Sequence, residues 1–117
     1  MHIIFGKENA QALEGKYTIF ELDTFNLTEK NTTATAYCVV ENISLVDLPN
    51  LENFKNLHSE LIINYSKQNW TLCIDLMEHL VGELGGELDT FYQDLHNRIK
   101  NLKDQELDDT WSPIIIR

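Results

Sequence analysis

The sequence predicts an α+β fold, with a small N-terminal antiparallel β-sheet packed against a three-helix C-terminal segment. Three observations lead there. Between Leu51 and Leu102, apolar residues recur at helical spacing in three successive stretches. The residues before position 47 instead alternate or cluster in short runs rich in β-branched and aromatic types. Short polar or glycine-containing connections separate the helical stretches, which makes consecutive helices packed, antiparallel neighbours. A chain of 117 residues fits a single domain, residues 1–117, organised as a mainly β part (1–46), three helices (47–103) and an acidic, then Ile-rich tail (104–117).

His2 to Phe5 is a short apolar run closed by Gly6, suited to a strand. Lys7 to Leu13 carries Ala10, Ala12 and Leu13 among polar residues and stops at Gly15, which predicts a short helix with a glycine C-cap. From Tyr17 to Phe25 the chain alternates, and Thr18, Phe20, Leu22 and Thr24 form the face expected to meet the core. A polar loop over Asn26 to Thr32 then leads into a return strand, Thr33 to Ile43. The firmest expected β contact is the antiparallel pair of Tyr17–Phe25 with Thr33–Glu41. Because two strands alone are marginal in water, His2 to Phe5, the C-terminal Ile run or a helix is expected beside them.

Asp47-Leu48-Pro49 is a helix-entry signal, with Asp47 as N-cap and Pro49 in the first turn. The helix that follows places Leu51, Phe54, Leu57, His58, Leu61, Ile62 and Tyr65 on one stripe. Ser66 to Gln68 breaks it, and Asn69 caps a second helix striped by Trp70, Cys73, Ile74, Met77, Leu80, Val81 and Leu84. Leu72 and Leu76 widen that stripe, so this helix is expected to be the most buried. Gly82 and Gly85-Gly86 end it. A third helix from about Glu87 to Lys103 aligns Leu88, Phe91, Tyr92, Leu95, Ile99 and Leu102. Glu87 and Asp89 in its first turn complement the helix dipole.

After Leu102 the chain turns acidic and ends in Trp111-Ser112-Pro113-Ile114-Ile115-Ile116-Arg117. Trp111 with Ile114, Ile115 and Ile116 is the candidate partner-binding site. These residues either cover the chain's own core or sheet edge, or pair with another copy or another protein, since an exposed edge strand is a docking template.

Nineteen acidic against nine basic residues give a net charge of −10, which repels phosphate backbones and anionic lipid and argues against direct nucleic-acid or membrane-surface binding. No apolar run approaches the roughly 20 residues that span a bilayer. The start, Met1-His2-Ile3-Ile4-Phe5, lacks the basic segment of an export signal, so a reduced, cytoplasmic setting is expected. Two cysteines, Cys38 and Cys73, then read as small core residues rather than a disulfide. The five Asn-x-Ser/Thr sequons, starting at Asn26, Asn31, Asn42, Asn64 and Asn69, follow from abundant Asn.

Chemistry finds few candidates. The histidines His2, His58, His79 and His96 are scattered over separate elements, where a metal site needs three or four converging ligands. His79 and Glu83 stand at i, i+4, and His58 lies on an apolar stripe, where a hydrogen-bonded core histidine is expected. Glu21, Asp23 and Glu41 share the hairpin with Tyr17 and Tyr37, an outward face by alternation. The glycines at 82, 85 and 86 follow a helix instead of opening one, so they form no phosphate cradle. No catalytic residue, metal or cofactor is expected.

The stretch Leu61, Tyr65, Trp70, Cys73, Met77, Leu80 resembles a tetratricopeptide-type helical hairpin, with an aromatic closing one helix, an aromatic opening the next and a small residue three later. Leu80 stands where that family prefers a small residue, and no second copy follows at a 34-residue period. Over nearly its full length the chain also resembles small proteins of contractile-tailed marine phages. The likeness rests on Ile3-Ile4-Phe5-Gly6-Lys7, Lys16-Tyr17-Thr18-Ile19-Phe20-Glu21-Leu22-Asp23-Thr24-Phe25, Ala36-Tyr37-Cys38-Val39-Val40 and Gly85-Gly86-Glu87-Leu88-Asp89-Thr90-Phe91-Tyr92. The first likeness implies a protein-binding scaffold, and the second a viral accessory or assembly role in a host cytoplasm. Together these readings point to a non-enzymatic interaction or assembly protein whose partner is another protein or its own copy. The alternative is an acidic decoy that mimics nucleic acid and occupies a host nucleic-acid-binding protein.

Overall fold

Strand-forming residues up to Ile43 and helix-period residues after it separate into two units in the computed structural model, which describes residues 2–27, 32–41, 43, 45–103 and 115–116. Along the chain run β1 (His2–Phe5), α1 (Lys7–Leu13), β2 (Thr18–Leu27), β3 (Thr32–Val40), a 3-10 turn at Leu48–Asn50, α2 (Leu51–Ser66), α3 (Trp70–Leu80), a second 3-10 turn at Glu83–Gly86, α4 (Asp89–Lys103) and β4 (Ile115–Ile116). The class is α+β, with the sheet preceding the helices. One unit comprises Met1–Ile43 with Pro113–Arg117, the other Ser44–Ser112.

In the first unit the sheet order is β1-β3-β2-β4. β1 and β2 flank β3 antiparallel, and β4 adds parallel to the outer side of β2, with Phe25 opposite Ile115 and Asn26 opposite Ile116. The expected pairing of β2 with β3 holds, with Phe20 opposite Cys38 and Glu21 opposite Tyr37. Between Glu21 and Thr24 the register shifts, so Leu22 and Asp23 together oppose Ala36. This bulge reverses the alternation beyond it. Phe20 and Leu22 are buried as expected. Past the bulge, however, it is Phe25 that joins the face of Ala36 and Cys38, with its ring 6.2 Å from that of Phe5. Thr24 turns to the other face, where its hydroxyl meets that of Thr35 at 2.9 Å.

α1 packs on β1 and β3 through the buried Ala10, and the Asn9 amide donates to the Phe5 carbonyl at 2.9 Å. The glycine cap expected at Gly15 is not formed. The helix closes on Glu14 in ordinary right-handed geometry, and a Cβ at Gly15 would meet open space.

The second unit is built on helical stripes. Phe54, His58, Leu61 and Tyr65 of α2 are buried, as are Cys73, Leu76, Met77 and Leu80 of α3 and Phe91, Tyr92, Leu95 and Ile99 of α4. Each large apolar side chain withdrawn in this way stabilises the unit by roughly 1.5–3 kcal/mol. The α2–α3 corner is a three-residue connection. Asn69 N–H returns to the Asn64 carbonyl at 3.0 Å and Gln68 takes the left-handed place, φ 63°, that usually falls to glycine. Asn69 holds the N-cap position of α3 without the expected side-chain cap: its carbonyl accepts from Cys73 N–H, while its side-chain amide donates to Asn64. Tyr65 and Trp70 meet edge to face across the corner, 5.6 Å between centroids, and the Cys73 thiol lies 3.9 Å from the Leu61 carbonyl. Those pairings, 65 with 70 and 61 with 73, show the two helices running antiparallel.

α3 is narrower in its buried face and shorter than its pattern suggested. Leu72 is 44 % exposed, and the helix stops at Leu80 because Val81 is extended (φ −63°, ψ 134°) and Gly82 is left-handed. Leu84 still reaches the core, but from a left-handed conformation (φ 53°, ψ 38°) inside the turn. Gly85 and Gly86 follow it with φ of 68° and 78°. Such conformations suit glycine and cost another residue about 1–2 kcal/mol.

Two alanine substitutions separate glycines required by geometry from one that is not. Gly85→Ala is expected to lower unfolding stability by about 1 kcal/mol through its left-handed φ, although space is open there. Gly15→Ala, free of that requirement, is expected to be neutral or to stabilise by up to about 1 kcal/mol by narrowing the unfolded ensemble. Urea midpoints of the two variants check both.

Candidate functional site

The chemistry-bearing residues lie apart. His58 points into the second unit, its Nδ1 2.8 Å from the Tyr92 hydroxyl, with both residues buried and the Phe91 ring 6.1 Å away. Its role is that of a bonded core histidine. His2 lies at the sheet edge with Nε2 3.9 Å from a Glu41 oxygen, and His96 stands on α4. His79 and Glu83 do come together, lining a hollow of about 280 Å³ with Asn50, Asn53, Phe54 and Leu57. Among the described residues no three His, Cys, Asp or Glu side chains are grouped to hold a metal ion, and no helix is long and apolar enough to cross a membrane.

Cys38 and Cys73 are free thiols, both buried, and burial pushes that of Cys73 up to about 11. A thiol held protonated is a poor nucleophile. On the hairpin, Tyr37 is shifted upward by burial first, then by the carboxylates of Glu21 and Glu14, with a hydrogen bond to Thr35 acting in the opposite sense. A phenol so placed stays protonated at neutral pH.

A groove of about 520 Å³ lies between α3 and α4. Ile74, Met77, Val81 and the ring of Tyr92 supply its apolar part, and Glu78, Gln93, His96 and Asn97 its polar part. Termination of α3 at Leu80 creates it. Val81, one residue past the helix, is left 48 % exposed beside Ile74 and Met77, and Gly82 N–H is tied to the Asp89 carboxylate at 2.8 Å, which holds the start of α4 close. On the α3 side of the groove the charge is acidic, with Asp75 and Glu78 exposed and no Lys or Arg on that helix, while α4 carries the exposed Lys100 one turn beyond His96 and Asn97, and Arg98 is paired with Asp94 at 2.8 Å. The groove thus combines an apolar floor with acidic side chains on its α3 side.

Of the tail residues singled out in the sequence, Trp111 and Ile114 lie outside the described residues. Ile115 and Ile116 form β4 and pair with β2 of the same chain. The groove itself escapes the sequence pattern, because periodicity assigns Val81 to the interior. The signal that locates it is the glycine directly after Val81, which marks where the helix must stop. Exposed Leu45 and Val46, both 84 % accessible, form a second apolar spot that the pattern did not single out.

Tyr92→Phe removes the hydroxyl bonded to the buried His58 ring and is expected to cost about 0.5–1.5 kcal/mol in urea unfolding. Cys73 makes a pH-dependent contribution. Its folded pKa of about 11 exceeds the ordinary thiol value of 9.0, so the stabilisation is full below pH 9 and is lost as pH rises toward 11. The loss amounts to roughly 2–3 kcal/mol, and a Cys73→Val chain is expected to lack that alkaline decline when urea midpoints are followed with pH. Compared with known proteins, the chain matches no protein family, no curated protein and no solved structure.

Proposed function

We propose that this chain is an interaction or assembly protein that acts by docking a protein partner in the α3–α4 groove, with no chemistry of its own. The observation that carries the reading is Val81, half exposed beside Ile74 and Met77 just past a helix whose only formal side-chain charges are the carboxylates Asp75 and Glu78. An apolar anchor needs a pocket, and an acidic bank selects cations, so the occupant is an amphipathic helix with Leu-type side chains on one face and Lys or Arg flanking them. The net charge of −10 draws such a segment in from a distance. The likeness to small phage proteins supports an assembly setting for it.

A 14-residue helical peptide of Leu and Lys is a direct probe, with its Leu and Glu counterpart as control. Binding followed by methyl NMR is expected to shift the Ile74, Met77 and Val81 signals. Val81→Asp should weaken it at least tenfold, about 1.4 kcal/mol, and Glu78→Lys severalfold. Raising salt should weaken it only modestly. An affinity indifferent to Val81→Asp but falling steeply with salt would overturn the groove and favour the decoy reading, in which acidic charge alone captures a basic protein.

A further inference from the structure

β1 is an edge strand of the sheet, and its outward groups can be read from the register. Gly6 N–H donates to the Thr35 carbonyl at 3.0 Å, so in the antiparallel ladder residues 2, 4 and 6 direct their amides and carbonyls to β3. Ile3 and Phe5 therefore direct theirs away from the sheet. The Phe5 carbonyl is taken by the Asn9 side chain at 2.9 Å, which leaves Ile3 N–H, Ile3 C=O and Phe5 N–H outward. The Ile3 and Phe5 side chains, 48 % and 53 % exposed, share one face with Phe25 beside Phe5.

We infer that β1 pairs with β1 of a second copy of this chain, antiparallel about a twofold axis through Ile3. In that register each Ile3 N–H donates to the Ile3 carbonyl of the other copy, so both outward groups of Ile3 are satisfied and the two Ile3 side chains lie together. The register centred on Ile4 is disfavoured, because it would need the Phe5 carbonyl that Asn9 occupies. That same plug shortens what the edge can offer. A long foreign strand gains its affinity from a long ladder, whereas an equally short strand loses nothing here. Charge points to the same occupant. β1 contains no carboxylate in a chain of net charge −10, and Glu41 beside it lies near the His2 imidazole, so this neutral strip is where two copies approach with least repulsion. A contact of four residues a side is well below the roughly 1,200 Å² of a stable interface, so the dimer is reversible and strengthens as salt screens the acidic bodies.

Sedimentation of the full chain from about 10 μM to about 1 mM, at low and at high salt, tests the inference. The expected result is an average mass rising toward twice the monomer at high concentration, more so at high salt. Ile3→Lys, on a half-exposed site, should keep the fold by circular dichroism and remain monomeric. Ile3→Cys should form a disulfide-linked dimer under mild oxidation at least tenfold faster than Phe5→Cys, since the register brings the two positions 3 together and keeps the two positions 5 apart. Monomer at every concentration and salt, dimerisation unchanged in Ile3→Lys, or cross-linking at position 5 as fast as at position 3 would each overturn it.

Discussion

Five residues, Gly82 to Gly86, impose the constraint on which the helical unit depends. Four of them have positive φ: Gly82, Leu84, Gly85 and Gly86. A backbone bent left-handed so often in so short a span reverses the chain without a loop, and Asp89 locks the bend by accepting from Gly82 N–H. The start of α4 is thereby brought against the end of α3. Only with α4 so placed does Tyr92 reach His58 and does Val81 face a second helix. The groove and the buried polar bond thus share one cause.

Leu84 shows how such a bend is tolerated. Its left-handed conformation is unfavourable by about 1–2 kcal/mol for a residue with a side chain. Its burial returns a comparable amount. A glycine there would relieve the backbone and forfeit the packing, so the conflict between local preference and tertiary contact is resolved in favour of contact. Gln68 at the α2–α3 corner is also left-handed, and there the N–H donates to the Tyr65 carbonyl at the helix end.

Much of the fold was legible because period is a local property. Phe54, His58, Leu61 and Tyr65 recur every three or four residues and are buried together, and Phe20 and Leu22 alternate and are buried together. What was not legible needs information from elsewhere in the chain. The face taken by Phe25 depends on a bulge, which exists only in relation to β3. Val81 and Leu72 fit the helical stripe of α3, yet the pattern does not say how far the helix runs or how wide its covered face is. The candidate groove was hidden for that reason, since it is lined by a residue that periodicity counts as interior. Ile115 and Ile116 illustrate another case, an apolar run whose role the sequence left open and whose pairing direction, parallel to β2, no local pattern carries.

The bulge at Leu22 and Asp23 has one more consequence. Two residues of β2 stand there against the single Ala36, so the hairpin contains one amino acid beyond what an even ladder requires. Excising Asp23 would leave Thr24 opposite Thr35 and Phe25 opposite Ala34, each with its present neighbour and on its present side. Length in this strand is consequently a loose variable, and related genes could gain or lose a codon at that point without rewriting the rest of the sheet.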